Sequence, residues 1–248
     1  MSLLKAERIK LFSTRSPWWC TGLAIVASLA VATAFVALAG DTIPVTVETT
    51  QIASSLGLTV ILVLAVLAAT TEFTWGTMRV TFQAVPRRAP ALLAKAVVVG
   101  LWCGLTGLVI GFGSWGIARL IRPEADLALN SGEDWRSVAG QGLVFLLTGV
   151  LGVGVGLLLR STGLALAVAL VWTQLIEGLV YWIPGVGKDI YEWMPFFSAS
   201  QFIGSSFTAS ALKLEDLPLS PTGYGVYYAA ISLALFGTGV VVNRLRDA

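Results

Sequence analysis

The 248-residue sequence contains no histidine, only two cysteines and few charged residues. The absence of histidine excludes His-ligated haem, most zinc and copper sites, and His-based catalytic triads. Cys20 and Cys103 both lie in apolar runs, which favours two buried small side chains over a disulfide framework. Charged residues make up 12% of the chain, whereas a soluble domain carries about 25%. This composition indicates a membrane protein with several spans.

Six apolar runs are long enough to cross a membrane, since a spanning helix needs about 20 residues. Lipid cannot satisfy free backbone groups, and the runs are continuous rather than alternating, so helices are favoured over strands. The first run is longer than the roughly 7–15 residues of a signal-peptide core, which indicates a retained helix. The sequence therefore predicts an all-α membrane protein, a single domain over 1–248, with spans at about 18–39, 51–71, 96–118, 138–159, 162–183 and 223–243.

The basic residues are unevenly divided between the two sides that these spans define. One side holds residues 1–17, 72–95, 160–161 and 244–248, with Lys5, Arg8, Lys10, Arg15, Arg79, Arg87, Arg88, Lys95, Arg160, Arg244 and Arg246. The other side holds Arg119, Arg122, Arg136, Lys188 and Lys213. Basic residues concentrate on the cytoplasmic side of membrane proteins. Both termini are therefore predicted to face the cytoplasm.

The segment TTEFTWGTMRVTFQAVPRRAPALLAK, residues 70–95, is basic and helix-like, although it lies between two apolar spans. Its apolar residues recur at helical spacing and predict one shared face: Trp75, Met78, Phe82 and Val85. Pro86 is expected to stop this helix, and Pro90 is well placed to open the next one. Such a helix either lies on anionic lipid headgroups or docks on a soluble partner, and periodicity alone does not separate the two.

The same segment resembles the region after the second span in permease subunits of type-2 ABC transporters (ABC-2). The resemblance rests on an acid, an aromatic residue, a Gly-Thr pair, an arginine three residues after the glycine, and a proline with basic neighbours before a lysine. These positions are Glu72, Phe73, Gly76, Thr77, Arg79, Pro86, Arg87, Arg88 and Lys95. The order of features, from a basic N-terminal segment through six spans to a long outer loop before the last span, extends the resemblance over the whole chain.

The resemblance implies a cytoplasmic coupling helix that docks on a separate nucleotide-binding ATPase subunit, with segments 1–17 and 72–95 at the interface. The docking residues would be Glu72, Phe73, Gly76, Thr77, Arg79, Phe82, Pro86, Arg87 and Arg88. It also implies two permease copies, as homodimer or heterodimer, in a bacterial cytoplasmic membrane. The complex would export an apolar or amphipathic compound such as a drug, peptide antibiotic or lipid.

This chain carries no ATP site of its own, and we predict no catalytic, cofactor-binding or metal-binding residue in it. The nearest approach is PGVGKD, which ends at Asp189. A phosphate-binding loop needs a glycine, four further residues, Gly-Lys and then serine or threonine, and here Trp182 and Asp189 occupy the first and last of these places. ATP and Mg²⁺ are therefore expected in the partner ATPase subunit.

Residues 184–222 are too many for a simple connection and too apolar for a free loop. They predict re-entrant or interfacial helices on the outer side, the alternative being an interfacial aromatic belt. In the fifth span Glu177 is an acid at membrane depth, where a charge costs roughly 2.5–3.5 kcal/mol. With Thr173 and Gln174 it would line the substrate path or hydrogen-bond at the dimer seam; a protonated acid facing lipid is the third interpretation.

Glycine pairs four residues apart occur in the third and fourth spans: Gly100 and Gly104, Gly107 and Gly111, Gly152 and Gly156. Such pairs allow helices to approach closely, so packing is their expected role. Two other functional classes stay open. A non-transporting sensor or assembly partner would keep the same architecture, whereas an intramembrane enzyme would need clustered acids or a Ser/Lys pair at catalytic depth, where the sequence offers only Glu177.

Overall fold

The computed structural model describes residues 3–39, 44–84, 88–204 and 217–245, and every regular element in these ranges is a helix. Six helices are long and apolar enough to cross a membrane, which confirms the predicted number of spans. They are α2 (Ser16–Leu38), α3 (Ser54–Thr74), α5 (Arg88–Ile121), α6 (Gly132–Leu159), the fifth span (Thr162–Val180) and α11 (Pro221–Leu245).

Shorter elements surround these spans. A 3₁₀ turn, Thr49–Gln51, precedes α3. The fifth span is divided into α7 (Thr162–Val171), a π-helical turn (Trp172–Ile176) and α8 (Glu177–Val180). The remaining helices are α1 (Leu3–Ser13), α4 (Thr77–Ala84), α9 (Gly187–Tyr191) and α10 (Pro195–Phe202).

Short helices lie at both ends of the bundle. We name each end after one of them, the α4 end and the α10 end. At the α4 end, α1 and the last turns of α11 both meet the beginning of α5, through Lys95–Glu7 (Nζ–Oε2, 2.8 Å) and Arg88–Asn243 (Nη1–O, 3.0 Å). At the α10 end, the Ser137 hydroxyl at the start of α6 donates to the Ile203 carbonyl (2.7 Å). The first described helix and the last turns of α11 therefore lie at the same end of the bundle.

Helix α6 lies at the centre and packs against α5, α3 and α11. Its glycines permit this close packing, because a Cβ on Gly152 or Gly156 would lie 2.7 Å from Ala65 or Ala69 of α3. On α5, Gly100, Gly104, Gly107 and Gly111 face α6 in the same way. The packing role predicted for the glycine pairs is confirmed.

Two helices begin earlier than the apolar runs predict. Helix α6 starts at Gly132, where Ser131 and Asp134 form a reciprocal capping box: the Ser131 Oγ accepts from the Asp134 N–H (3.1 Å), and Asp134 accepts from the Ser131 N–H (2.9 Å). Helix α5 starts at Arg88 with Pro90 in its first turn, where a missing N–H costs nothing. Apolar runs mark the part of a helix that suits lipid, while caps mark where the helix itself begins.

The predicted apolar face of the 70–95 segment is wrong in one respect. Trp75 lies in a turn between α3 and α4, and Gly76 follows it in that turn with φ +71°. Trp75 is 80% exposed, whereas Met78 in α4 is 2% exposed. The two residues therefore do not share a buried face, because the turn breaks the helical register that the spacing assumed.

Candidate functional site

Four charged side chains from three helices form a buried charge cluster at the α4 end, made of Glu7, Lys10, Glu72 and Lys95. The Lys95 ammonium lies 2.8 Å from Glu7 Oε2 and 2.7 Å from Glu72 Oε1. Lys10 lies 2.7 Å from Glu7 Oε1 and 3.5 Å from Glu72 Oε1, and also donates to the Thr81 hydroxyl of α4 (3.0 Å). The charge cluster therefore joins α1, α3, α4 and α5.

Two acids and two bases balance within the charge cluster, which makes burial of its charges tolerable. The side chains of Lys95 and Glu7 are each 6% exposed and that of Glu72 is 12% exposed, whereas Lys10 keeps 36%. Taking single charges out of water costs several kcal/mol each, so such groups persist only when they are paired. Lys95 also donates to the Ala68 carbonyl (3.4 Å), which completes its hydrogen bonding.

The ion pairs of the charge cluster shift the pKa values of Glu7 and Lys10 in α1. Burial raises the pKa of Glu7, but the ammonium groups of Lys95 and Lys10 outweigh burial and leave this pKa below its ordinary value of 4.5. Burial lowers the pKa of Lys10, but Glu7 and Glu72 outweigh it and leave this pKa above 10.5. The stabilisation from Glu7 is therefore lost only as the pH falls through its lowered pKa, and that from Lys10 only as the pH rises through its raised pKa.

Sequence reasoning missed this cluster. It used Lys10 as a topology signal, named Glu72 and Lys95 as positions of the motif in residues 70–95, and did not single out Glu7. Glu7 and Lys10 lie about 60 to 90 positions from Glu72 and Lys95, and nothing in local periodicity pairs them. The sequence offered one signal for the cluster: Glu72 directly follows the second apolar run, and Lys95 directly precedes the third. Opposite charges at the ends of successive spans can form an ion pair, but which residues pair depends on how the helices pack.

Three of the residues proposed for docking make contacts within the chain. Glu72 belongs to the charge cluster, and Phe73 packs against the core with the Arg160 guanidinium 5.4 Å from its ring centre. Arg88 donates to the Asn243 carbonyl (3.0 Å), and Asn243 also accepts from Arg160 (Nη2–Oδ1, 2.8 Å). These three residues hold the ends of α3, α5, α6 and α11 together.

Other residues of the same segment form a surface at the turn before α4 and along it. Gly76 and Thr77 are exposed, and Trp75 and Val80 are 80% and 64% exposed. Met78 is buried on the opposite side of α4, and Lys10 holds Thr81. The side chains of two predicted docking residues, and the whole of two others, lie outside the described structure: Arg79 and Phe82, then Pro86 and Arg87.

At the α10 end, Glu177 organises the junction between the fifth span and α10. Glu177 is 5% exposed, and its carboxylate accepts three hydrogen bonds of 3.1 Å, from Trp172 Nε1 and from the backbone N–H groups of Phe196 and Phe197. Pro195 opens α10, so these two N–H groups belong to its first turn. A carboxylate here satisfies donors that have no partner within the helix and meets the positive end of the helix dipole.

Thr173 and Gln174 lie within the π-helical turn, and Glu177 directly follows it. A π turn inserts an extra residue, which rotates the residues that follow it relative to an α-helix. Thr173 and Gln174 line a cavity of about 350 Å³ between α3, α6 and α10, while Glu177 is not among its lining residues. The structure thus brings two of the three predicted path residues to one cavity and uses the third to cap α10.

Replacing Glu177 by alanine is expected to lower the free energy of unfolding by about 1–3 kcal/mol, because three donors lose their acceptor. The measurement is thermal unfolding of the purified chain in lipid nanodiscs, with proteolytic nicking near Pro195 as a local readout. Glu192→Ala, in the connection between α9 and α10, is the matched control and should change little. Equal unfolding temperatures for the two variants would contradict the proposal that Glu177 caps α10.

Neither the protein-family models nor the curated proteins include a match to this chain. The features that bear on function are therefore the geometry of the two ends of the bundle and the sequence pattern of residues 70–95.

Proposed function

We propose that this chain is the membrane-spanning subunit of an ATP-driven transporter of the ABC-2 type. A separate subunit binds ATP and Mg²⁺ and hydrolyses the nucleotide, and two permease copies assemble with two ATPase copies. The complex exports an apolar or amphipathic compound across a bacterial cytoplasmic membrane, with both termini of the permease in the cytoplasm. The concentration of basic residues at the α4 end supports this orientation.

The observation that carries the proposal is the two-sided environment of α4. One side is anchored to the bundle through buried Met78 and the bond between Lys10 and Thr81. The other side, with the preceding turn, exposes Trp75 and Val80 beside Gly76 and Thr77. Exposed apolar residues rimmed by polar ones are typical of a protein interaction site. A partner that pushes on this surface would act on a helix already fastened to the spans.

The charge cluster supplies a mechanical connection from that surface into the membrane. Force on α4 would reach Lys10 through Thr81, and then α3 and α5 through Glu72 and Lys95. Helix α3 continues from Glu72 to Ser54, which lines the cavity at the α10 end. Its 21 residues span roughly 30 Å at 1.5 Å per residue, so one rigid element connects the two ends.

The α10 end fits the outer part of a substrate path. Thr173 and Gln174 contribute polar groups to the cavity there, and α10 packs against α11 and α6. In the proposed transporter α9 and α10 form the interfacial or re-entrant cap on the outer side. Glu177 then holds the cap to the fifth span through the first turn of α10.

The direct test is affinity purification of the tagged full chain from its native membrane in mild detergent, with mass spectrometry of the proteins that accompany it. We expect a soluble protein with a phosphate-binding loop in comparable amount. If no ATPase accompanies the chain under these conditions, the exposed side of α4 returns to its alternative interpretation, a helix resting on lipid headgroups.

Arg79→Glu is expected to reduce co-purification of that ATPase by about tenfold, the change produced by 1.4 kcal/mol of binding energy. The reason is reversal of one charge within the proposed docking segment. The matched control is Arg119→Glu, a reversal near the other end of α5, where the guanidinium lies 5.2 Å from the centre of the Trp115 ring. Equal recovery of the ATPase with both variants would contradict docking at α4.

A further inference from the structure

A cavity of about 560 Å³ lies at the α4 end beside the charge cluster. Its walls come from α1, the first residues of α2, the last turns of α3, the turn before α4 and the beginning of α5. Ser13, Thr14, Ser16 and Pro17 line it at the corner where α1 passes into α2, so we call it the corner cavity. Its volume falls within the range of about 300–1,000 Å³ that is typical of ligand pockets.

The corner cavity changes from polar to apolar in one direction. On α3 the lining passes from Thr71 to Leu67 and Leu64. On α5 it passes from Lys95 to Val98. Both series lead away from the α4 end, because α3 ends there and α5 begins there. A polar mouth above an apolar floor fits an amphiphile whose headgroup lies at the α4 end, which is the orientation of a lipid in the leaflet on that side.

Aromatic contacts set the depth of the corner. Phe12 of α1 and Trp18 of α2 both contact Trp102 of α5, at distances of 4.6 and 5.7 Å between ring centres. Trp102 lies about 21 Å along α5 from its first residue, Arg88, at 1.5 Å per residue. Tryptophan side chains favour the boundary between headgroups and hydrocarbon, and Trp18 and Trp19 are 56% and 76% exposed at this corner. The corner therefore lies deeper than the charged start of α5, at that boundary.

The charges at the corner favour an anionic headgroup. Arg8 and Arg15 are exposed, and Arg15 lies between two residues that line the cavity. The two lining acids, Glu7 and Glu72, are both paired with Lys95 in the charge cluster. Basic residues beside a span attract anionic lipid, by about fivefold in binding for each residue near the surface. An anionic headgroup would therefore meet accessible basic side chains, while the nearby carboxylates are already neutralised.

We propose that the corner cavity binds one anionic phospholipid of the leaflet at the α4 end. One acyl chain lies against Leu67 and Val98, and the phosphate lies at the mouth near Arg15 and Lys10, whose side chain is 36% exposed. The cavity is smaller than a whole phospholipid, so the second chain stays in the bilayer. The bound lipid fills the space between helices that the charge cluster joins. This binding does not depend on the proposed transport function, because the cavity lies within one chain.

The test is native mass spectrometry of the purified full chain, released from nanodiscs that contain equal amounts of palmitoyl-oleoyl phosphatidylglycerol and palmitoyl-oleoyl phosphatidylcholine. The two lipids carry the same acyl chains and differ in the net charge of the headgroup. We expect one lipid to stay bound to each chain, and phosphatidylglycerol to be preferred about tenfold over phosphatidylcholine.

The variant that tests the apolar floor is Val98→Trp, which places an indole ring in the cavity. We expect the retained lipid to fall about tenfold, while the unfolding temperature changes little, because the ring occupies existing space. Val97→Trp is the matched control, since the neighbouring Val97 is 46% exposed and is not among the residues that line the corner cavity. It should retain the lipid as the unmodified chain does.

The variant that tests the headgroup site is Arg15→Gln, which leaves the apolar floor unchanged. The preference for phosphatidylglycerol should fall about fivefold, whereas Arg119→Gln, near the other end of α5, should leave it unchanged. The proposal would be overturned by a chain that retains no lipid, by equal retention in Val98→Trp and Val97→Trp, or by equal retention of the two lipids. An unchanged preference in Arg15→Gln would also contradict it. None of these results depends on an ATPase, so they leave the test of the transporter separate.

Discussion

Lys95→Met is expected to lower the free energy of unfolding by about 3–5 kcal/mol, because it removes the buried base that Glu7 and Glu72 share and leaves them only the partly exposed Lys10. The loss should be concentrated at the α4 end, where α1 buries only Glu7 and Leu11. Thermal unfolding in nanodiscs measures the total effect. Limited proteolysis between α1 and α2 measures the local one, and cleavage there should become much faster.

Two further variants separate charge pairing from simple packing. Lys10→Met removes a base that is 36% exposed and leaves Glu7 paired with Lys95, so its cost should be only about 0.2–1 kcal/mol. The triple variant Glu7→Gln, Glu72→Gln and Lys95→Met removes the buried charges together and should recover most of the stability lost by Lys95→Met. If the triple variant is as unstable as Lys95→Met, loss of packing rather than an unpaired charge explains the effect.

Gly107→Val is expected to destabilise the bundle by about 3 kcal/mol or more, because two α-helices meet at this position without room for a side chain. A Cβ on Gly107 would lie 2.6 Å from the Gln141 carbonyl oxygen and 2.7 Å from Phe145 Cβ. The carbonyl belongs to the backbone of α6 and cannot rotate away. The α5–α6 contact would have to open, and thermal unfolding in nanodiscs should show a large decrease in the midpoint.

Gly116→Val provides the matched control on the same helix. A Cβ on Gly116 would meet no atom within 4 Å, so the substitution changes only helix propensity, by about 0.5 kcal/mol or less. Similar midpoints for Gly107→Val and Gly116→Val would show that α5 can move away from α6 at little cost, contrary to the close packing described above.

The two ends of the bundle differ in how far the sequence predicted them. At the α4 end, the spacing of residues 70–95 predicted a short helix and a proline-bounded turn, and α4 lies within that segment. The exposure of Trp75 was not predicted, because periodicity carries no information about a turn that Gly76 makes possible. At the α10 end, Glu177 was singled out by its cost in lipid, but its partners Phe196 and Phe197 were invisible, since they donate through the backbone.

The sequence by itself determined the all-helical class, the number of candidate spans and the glycine positions, because hydropathy and local sterics are properties of short segments. Only the tertiary structure decided which charges pair, as in Lys95 with Glu7 and Glu72, and which backbone groups a buried acid accepts from, as in Glu177 with Phe196 and Phe197. Those outcomes depend on the rotation and depth of each helix against its neighbours. They are set by packing between residues far apart in the chain, which no local pattern encodes.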